Sequence, residues 1–258
     1  QKKSSNKSVS SKGGKQLTPF EISAADYEEN RHFFLAHTFR SRYDDAMKTL
    51  PNLTTGITIN RVEIWVTNKT GVSSNTRNIV ALSDLGENAK VSRTDLWGVG
   101  SGNVPSNNAN SEYSTIAQGH PQARNIDQTS TVLDGLGLVG GTDYEKLSSA
   151  RLLNSSEYTV NQALGYVSLR TGLQTDQVLA IAYEYTYQVG EFSSDRTDVS
   201  EALFVKSLKN TSNNPKQANW DLMMKNVYYL ASTVERDKFR LDVKFQSDTA
   251  GVYLPYIP

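Results

Sequence analysis

Residues 177–189 have the sequence QVLAIAYEYTYQV, and this stretch decides the fold class that we predict. Apolar and β-favouring side chains run through almost all of it, and no Gly or Pro interrupts it. This composition is typical of a long β-strand. Tyr183, Tyr185 and Tyr187 are two residues apart, so the strand period places all three on one face.

Two interpretations of this tyrosine face remain open at the level of sequence. Exposed tyrosines offer rigid aromatic surface with a polar tip, which suits stacking on a sugar or holding an extended peptide. Alternatively, the same face packs against the interior of a β-sandwich, which is the interpretation we favour. Trp65 lies on the opposite face of its own strand from its apolar neighbours, and we expect it to be partly exposed at an interface. The candidate ligand or interface face is therefore Trp65, Tyr183, Tyr185 and Tyr187.

Several other segments have the apolar content or the alternation of β-strands. They are residues 57–67, with a break near Asn60 where the apolar phase changes, and residues 77–82, 157–161, 166–169 and 202–208. Near the end of the sequence, the four apolar residues Phe239, Leu241, Val243 and Phe245 alternate with polar ones, which predicts a half-buried strand. Strands joined by short turns favour antiparallel sheets that pack on each other.

Three segments carry helical signals. The first lies within residues 18–50, where Tyr43, Met47 and Leu50 have helical spacing. It ends before Pro51, which cannot continue a helix. The second begins with Thr142 and Glu145, which have the spacing of a capping box, and is predicted to run to about residue 153. The third begins at Asn219, a residue suited to the N-cap position.

The predicted fold class is therefore α+β and rich in β structure, with antiparallel β-sandwich-like lobes and two or three short helices. Residues 84–141 are rich in Gly, Asn and Ser, so we expect a long excursion with little regular structure that ends one lobe. The predicted domains are a disordered basic tail over 1–16, an N-terminal β-rich lobe over 17–141 and a C-terminal β-sandwich-like lobe over 142–258.

Charge and composition exclude several classes of protein. The chain has 27 basic and 27 acidic residues, but its first 16 residues contain five lysines and no acid. The mildly acidic remainder is unsuited to nucleic acid, because phosphate binding needs a clustered basic surface. The absence of cysteine excludes disulfides, thiolate metal sites and cysteine nucleophiles. The longest apolar run, residues 178–183, is too short for a membrane helix, and we expect a soluble piece of a longer parent.

No group of residues has the spacing of a catalytic centre. Residues 135–140 match the dinucleotide motif G-x-G-x-x-G, but no clear strand precedes them, so we interpret them as a flexible loop. His32 and His37 are five residues apart and lack the Glu of a zinc-binding helix. Asp195 and Asp198 share a loop that we expect to be solvated rather than to bind calcium. We predict no enzyme, no cofactor and no metal.

Eight blocks of sequence carry a resemblance to a known family. They are RHFFL (31–35), NRVEIWVTNK (60–69), NTRNIVA (75–81), DLGE (84–87), EYTV (157–160), LGYVSL (164–169), EYTYQVGEF (184–192) and WDLMMKN (220–226). These blocks resemble the SprA/Sov family of gliding-motility and type IX secretion proteins, over roughly residues 20–258.

The resemblance implies a non-enzymatic, soluble module of an outer-membrane protein-translocation channel in Bacteroidota, acting in assembly or cargo passage. The implied partners are other translocon parts (barrel, plug or cap proteins) and secreted cargo, with no nucleic acid. The implied location is the cell envelope at the outer membrane, with this segment on the periplasmic or cell-surface side and attached to the membrane only through its parent. The alternative is a glycan- or peptide-binding β-sandwich module at the cell surface that uses the tyrosine face.

Overall fold

A computed structural model describes residues 10–12, 15–17, 20–100, 102–231, 234, 237, 239–247 and 251–256. The chain divides into two compact units, one made of residues 28–227 and the other of residues 1–27 together with 228–258. The α+β, β-rich class predicted from the sequence is confirmed, since strands dominate and the helices are short. Among the described residues, no helix has the length and apolar content needed to cross a membrane.

The helices and strands are numbered in chain order. The strands are β1 (Ser10–Lys12), β2 (Lys15–Leu17), β3 (His32–Phe34), β4 (Arg61–Val66), β5 (Thr76–Leu82), β6 (Tyr144–Leu152), β7 (Tyr158–Asn161), β8 (Tyr166–Leu169), β9 (Leu179–Glu184), β10 (Gln188–Val189), β11 (Leu203–Lys209), β12 (Phe245–Gln246) and β13 (Tyr253–Leu254). The α-helices are α1 (His37–Met47), α2 (Thr94–Trp97), α3 (Glu112–Ser114) and α4 (Thr129–Gly135). Other helical turns cover Thr115–Gly119, Pro121–Arg124, Ser193–Asp195 and Ala218–Leu222.

Five strands of the unit 28–227 form a sheet that closes on itself. Strand β9 pairs with β11 on one edge and with β4 on the other, and β5 and β6 complete the ring between them. The pair β11–β5 is parallel, and the other neighbours in the ring are antiparallel. The ring is filled rather than hollow, because a small closed sheet leaves room only for its own inward side chains. The residues that fill it include Trp65, Ile79, Ala81, Ala180, Phe192, Leu203 and Val205.

The outer face of the ring is also covered, which explains the continuous apolar run in β9. Ala180 and Ala182 belong to the cluster inside the ring, so strand alternation directs Ile181 and Tyr183 outward, and all four are fully buried. On the β5 and β11 side, the cover is the long excursion after β5, whose apolar side chains pack on outward-facing Phe204. A strand buried on both faces needs apolar residues at every position.

A three-stranded sheet in the order β3–β8–β7 and helix α1 form the rest of this unit. The turn between β7 and β8 contains Gly165, which has a φ of +65° and lies against the ring of Phe39 in α1. A Cβ atom at this position would lie 2.1 Å from Cδ1 of Phe39, so only glycine fits there. The phenyl ring in turn packs edge-on against Tyr183 of β9, with 6.2 Å between ring centroids.

The strands predicted at 77–82, 157–161, 166–169 and 202–208 are present within one or two residues, and the break near Asn60 is confirmed because β4 begins at Arg61. The helix predicted before Pro51 is present as α1.

The helix predicted from Thr142 to about residue 153 is wrong, because this segment is strand β6. Its buried residues Tyr144, Leu147 and Ala150 are three apart, which mimics the spacing of a helix. In the structure the spacing arises from a bulge: the register with β5 shifts, and Ser149 takes a φ of +54°. An extra residue in a strand moves the apolar positions out of the period of two.

Two other predicted elements are shorter than expected. The strand predicted over 177–189 ends at Glu184 and turns back into β10, so it forms a hairpin. The helix predicted from Asn219 is a single 3-10 turn over Ala218–Leu222, in which Gln217 takes the N-cap position and Asn219 is buried.

The structure divides the chain differently from the predicted lobe boundary at residue 141. Strands from both sides of that position, β4 and β5 before it and β6, β9 and β11 after it, share the closed ring. Residues 84–141 are an ordered cover instead of an excursion between lobes, since Leu85, Trp97, Ile116 and Leu133 are buried on the ring. These apolar residues are widely spaced in a segment rich in Gly, Asn and Ser, so the sequence did not indicate that the segment is packed on the ring.

The other unit contains two hairpins, β1–β2 and β12–β13, both antiparallel. The first lies within the segment predicted as a disordered tail, most of which is outside the described residues. The prediction of a half-buried strand over the alternating segment 239–245 is wrong. Only Phe245 of this segment belongs to a strand, and the apolar side chains of the segment are exposed.

Candidate functional site

The structure does not bring the four predicted site residues to one surface. Trp65 is 1% exposed inside the ring, and Tyr183 is fully buried on the outside of the ring. The expectation that Trp65 is partly exposed is therefore wrong. It assumed that one face of the strand meets solvent, whereas closure of the ring buries the inner face and the cover buries the outer one.

The other two tyrosines lie in the turn after β9. The Tyr185 hydroxyl donates a hydrogen bond to the carbonyl oxygen of Pro105, and burial raises the pKa of this phenol to about 12. Tyr187 is exposed and packs edge-on against Tyr185, with 5.7 Å between ring centroids. One exposed tyrosine ring does not make the row of stacking surfaces that a sugar-binding face needs.

A buried ionic cluster lies between α1, the segment after β5, and β11. Glu87 Oε1 is 2.9 Å from Lys206 Nζ and 3.0 Å from His37 Nδ1. The side chains of Glu87 and Lys206 are both fully buried. Lys206 Nζ also donates to the carbonyl oxygen of Ser83 at 2.8 Å, and His37 Nε2 lies 2.9 Å from that of Ala218. Each group is engaged by other atoms of the chain, so the cluster joins four segments of the fold.

Two glutamates in this region have opposite protonation behaviour. Burial tends to raise the pKa of Glu87, but the charges of Lys206 and His37 outweigh it and lower the pKa to about 2. Burial raises the pKa of Glu112 well above its ordinary value, and the neighbouring Asp84 raises it further. Glu112 Oε2 is buried without a hydrogen-bond partner. Burial therefore favours the protonated form of Glu112, whereas the neighbouring cations favour the ionised form of Glu87.

A second buried ionic cluster joins the cover to the ring. Arg124 makes two hydrogen bonds to Glu191, at 2.6 and 2.8 Å, and its guanidinium lies 4.2 Å from the ring centroid of Phe204. The same carboxylate accepts the hydroxyl of Tyr113 at 2.7 Å and the backbone N–H of Phe204 at 3.0 Å. Burial raises the pKa of Glu191, but the hydrogen bonds and charge of Arg124 lower it below its ordinary value. Bidentate pairing with additional donors is the arrangement that offsets the cost of burying charge.

Lys209, at the end of β11, is a buried lysine whose partners are backbone carbonyls. Its ammonium group donates to the carbonyl oxygens of Thr175, Gln177 and Asn210 at 2.7 to 3.0 Å. Burial lowers the pKa of this amine to about 8. The three carbonyl oxygens hold the ammonium group in place, which suits a structural role better than a nucleophile.

The histidine, aspartate and glycine motifs that the sequence analysis singled out have structural roles in the fold. His32 Nδ1 lies 2.7 Å from Ser168 Oγ, and its Nε2 lies 3.0 Å from Glu28 Oε2. Asp195 accepts from Gln188 and from the backbone of Phe192. Residues 135–140 end α4 and lead through a turn, as the loop interpretation predicted. Within the part of the chain that the structure describes, no group of three or more His, Asp or Glu side chains could hold a metal ion.

The surface has a small crevice and a larger open cleft, and neither has the features of a ligand site. The first is a crevice of about 10 Å³ beside Asn210, Asn219 and Trp220, which holds no more than one water molecule. The second is an open cleft of about 330 Å³ beside the C-terminal half of α1. Its Arg42 guanidinium donates to the carbonyl oxygens of Thr55 and Asn103, at 3.0 and 2.7 Å. Those N–H groups are therefore already engaged by the protein.

The most distinctive exposed surface belongs to the unit that contains residues 228–258. Leu241 is 60% exposed and Val243 is 80% exposed, although their strand-like alternation is typical of a half-buried sheet. Several aromatic and aliphatic side chains of the same unit are also exposed: Phe20, Tyr229, Leu230, Val234, Phe239, Phe245, Val252, Tyr253 and Tyr256. Phe20 and Phe239 stack on each other with 5.9 Å between ring centroids, and exposed apolar side chains that adjoin one another are typical of an interaction surface. We take this unit as the candidate interface.

Apart from His37, which was considered only as a metal ligand, sequence reasoning missed the residues of both ionic clusters. One signal was available: Lys206 interrupts the apolar run ALFVKSL at 202–208, and a charge within a buried strand requires a buried partner. The partner itself, Glu87, lies more than one hundred residues earlier, so nothing local identifies it. Arg124 and Glu191 gave no comparable signal.

One comparison with known proteins bears on the identity of the chain. Residues 1–126 match the family model SprA_N, which is described as a motility related/secretion protein. The match covers β1 to β5 and most of the cover, and it confirms the family resemblance seen in the sequence blocks. No curated protein matches the chain.

Proposed function

This chain is a fragment of a SprA/Sov family motility and secretion protein, and we propose that it is a non-enzymatic module of the type IX translocon in the outer membrane of Bacteroidota. In this proposal it acts in assembly of the translocation channel or in passage of cargo. Its partners are the other translocon parts and secreted proteins. The observation that carries the proposal is the SprA_N match over residues 1–126.

The arrangement of charged groups supports a structural rather than a catalytic role. The buried glutamates Glu87 and Glu191 are held by cations and backbone groups of the same chain. A catalytic acid or base must instead reach a substrate, with a cleft that admits it. The larger hollow is open, and its arginine donates to backbone carbonyls.

The exposed apolar side chains of the unit that contains residues 228–258 support a role in assembly. Exposed apolar side chains such as those of Leu241 and Val243 are suited to contact another polypeptide. The alternative glycan- or peptide-binding role relied on a row of exposed tyrosines. Because Tyr183 and Tyr185 are buried, the row of exposed tyrosines that this alternative requires is not formed, and we do not propose it.

The experiment is made in cells that secrete through the parent protein. Residues 28–227 are deleted in frame from the chromosomal copy, and export of cargo to the medium is measured by quantitative proteomics. We expect export to be lost while the cargo accumulates inside the cell envelope. Unchanged export would contradict the proposal.

A pair of point variants separates loss of this module from general damage to the parent. Arg124→Ala removes the bidentate partner of buried Glu191, so it should destabilise the module and reduce export. Lys48→Ala removes an ammonium group whose side chain is 74% exposed at the end of α1, so it should leave the module folded. Immunoblots must show the parent protein at the outer membrane in both strains. Equal export from the two strains would count against the module having a role.

A further inference from the structure

The segment from Phe239 to Gln246 has an edge that is open for pairing. Within the described residues, its only strand partner is β13, which pairs with Phe245 and Gln246. Residues 239–244 make no ladder pairs there, although they carry strong strand alternation. A hairpin of two short strands is marginally stable alone, and an unpaired edge is a template for another strand.

We propose that a second copy of this chain pairs with residues 240–246, antiparallel and related by a two-fold axis at Val243. In this register Val243 faces its own equivalent, Leu241 faces Phe245 of the second copy, and Asp242 faces Lys244. The register therefore places apolar side chains together on one face and opposite charges together on the other. The contact is isologous, so the Leu241–Phe245 and Asp242–Lys244 pairs each occur twice and the Val243 pair occurs once. This inference does not rest on the proposed function.

Charge selects this register over its neighbours. Moving the axis to Asp242 would place Asp242 opposite its own equivalent and Arg240 opposite Lys244, so every charged contact would be repulsive. Moving the axis to Leu241 would pair Arg240 with Asp242 but would place Lys238 opposite Lys244. Only the axis at Val243 gives each of Asp242 and Lys244 an opposite charge without a like-charge pair.

The hydrogen bonds of the hairpin show which backbone groups of the segment face away from β13. The backbone N–H of Ser247 donates to the carbonyl oxygen of Val252 at 3.0 Å, so odd-numbered residues direct their backbone groups toward β13. Carried back along the segment, the alternation directs the backbone groups of Asp242, Lys244 and Gln246 toward the open edge. These are the residues that form the hydrogen-bonded pairs of the proposed register. Val243 then occupies a non-hydrogen-bonded pair, where facing side chains are closest.

The test is sedimentation velocity of the whole chain over a range of concentrations. We expect a monomer–dimer equilibrium for the unaltered chain. Asp242→Lys places Lys opposite Lys, and Lys244→Asp places Asp opposite Asp. Each single variant should weaken the dimer by about tenfold or more, because two attractive pairs become repulsive.

Recombining the charges gives the decisive arm. An equimolar mixture of the two single variants restores opposite charges at both contacts, so the mixture should dimerise where each variant alone does not. The double variant Asp242→Lys with Lys244→Asp should also recover self-association. Asp45→Lys, at a side chain 82% exposed on α1, is the matched control and should leave the dimer unchanged.

Three results would overturn the inference. One is an unaltered chain that is monomeric at all concentrations. Another is a dimer that the single variants do not weaken. The third is failure of the mixture to dimerise although both single variants retain the circular dichroism spectrum of the unaltered chain.

Discussion

The unit of residues 28–227 and the segment 239–246 use the same alternation of strand residues in opposite ways. In the first, Val205 points into the filled ring and is fully buried, and the closed sheet leaves β9 with a partner on each edge. In the second, Val243 is 80% exposed and the strand pairs on one edge over two residues. The alternation of a strand therefore indicates that one of its faces is apolar. The sheet topology determines whether other parts of the same chain cover that face. Within the described residues, every strand of the ring has its partners in the chain, whereas the segment has a strand partner only at Phe245 and Gln246.

The largest expected effect comes from placing the same charge in the two regions. Val205→Asp buries a carboxylate inside the ring without a partner and removes apolar contacts. We expect it to lower the free energy of unfolding by about 5 kcal/mol or more. In the dilute, monomeric chain, Val243→Asp should change it by less than about 0.5 kcal/mol, because the side chain is 80% exposed there. Urea unfolding followed by tryptophan fluorescence measures both, and equal losses would break the comparison.

A second pair of variants tests whether the buried ionic cluster holds the cover on the ring. Arg124→Ala leaves Glu191 buried without its bidentate partner, so we expect a loss of about 3–4 kcal/mol in the free energy of unfolding. Arg240→Ala should cost almost nothing. The sign of the pH dependence follows from the lowered pKa of Glu191. Its ionised form is favoured in the folded state, so the stabilisation is present above the unfolded pKa and is lost as the pH falls. Arg124→Ala should weaken that acid-dependent loss.

The close approach of β7–β8 to α1 provides a third test. Gly165→Ala combines the strain of a positive φ with overlap on Phe39, and we expect it to cost about 3 kcal/mol. Gly71 has the same φ of +65° with nothing near its missing Cβ, so Gly71→Ala should cost about 1 kcal/mol from strain alone. Thermal unfolding of the two variants separates strain from overlap. Similar melting temperatures would mean that the turn and helix are less tightly packed than described.

The smallest expected effect is a change in pH dependence at Glu112. Because its pKa is raised in the folded state, the folded chain holds a proton that the unfolded chain releases. Stability should therefore fall as the pH rises above the ordinary pKa of a glutamate. Glu112→Gln keeps the neutral shape and should remove that fall, so the variant gains on the unaltered chain with rising pH. Parallel stability–pH curves would show that burial does not raise the pKa of Glu112.

The sequence predicted most strands because their signals are local. The apolar run at 178–183 and the short alternating segments at 158–161 and 166–169 identify β9, β7 and β8 without any knowledge of partners. Strand β6 was mistaken for a helix because its bulge produces a spacing of three. Closure of the ring could not be predicted, since it depends on β4 meeting β9 across more than one hundred residues.

The candidate site was predictable in part. The alternation at 239–245 was recognised from the sequence, but its exposure was not, because exposure depends on which strands the chain can offer it. Trp65 and Tyr183 were predicted to lie at a ligand or interface face because they are aromatic. Both are instead buried in the core. Aromatic residues suit an interface and an interior equally well, and only the packing distinguishes the two.

Hydrogen exchange with mass spectrometry, peptide by peptide, tests the contrast between the two regions most directly. At low concentration, we predict that amides of Leu179–Glu184 and Leu203–Lys209 exchange only through global unfolding, whereas those of residues 239–244 exchange rapidly. Raising the concentration should slow exchange in 239–246 and leave the ring unchanged. Strong protection of 239–244 in the dilute chain, or rapid exchange in β9, would contradict the account.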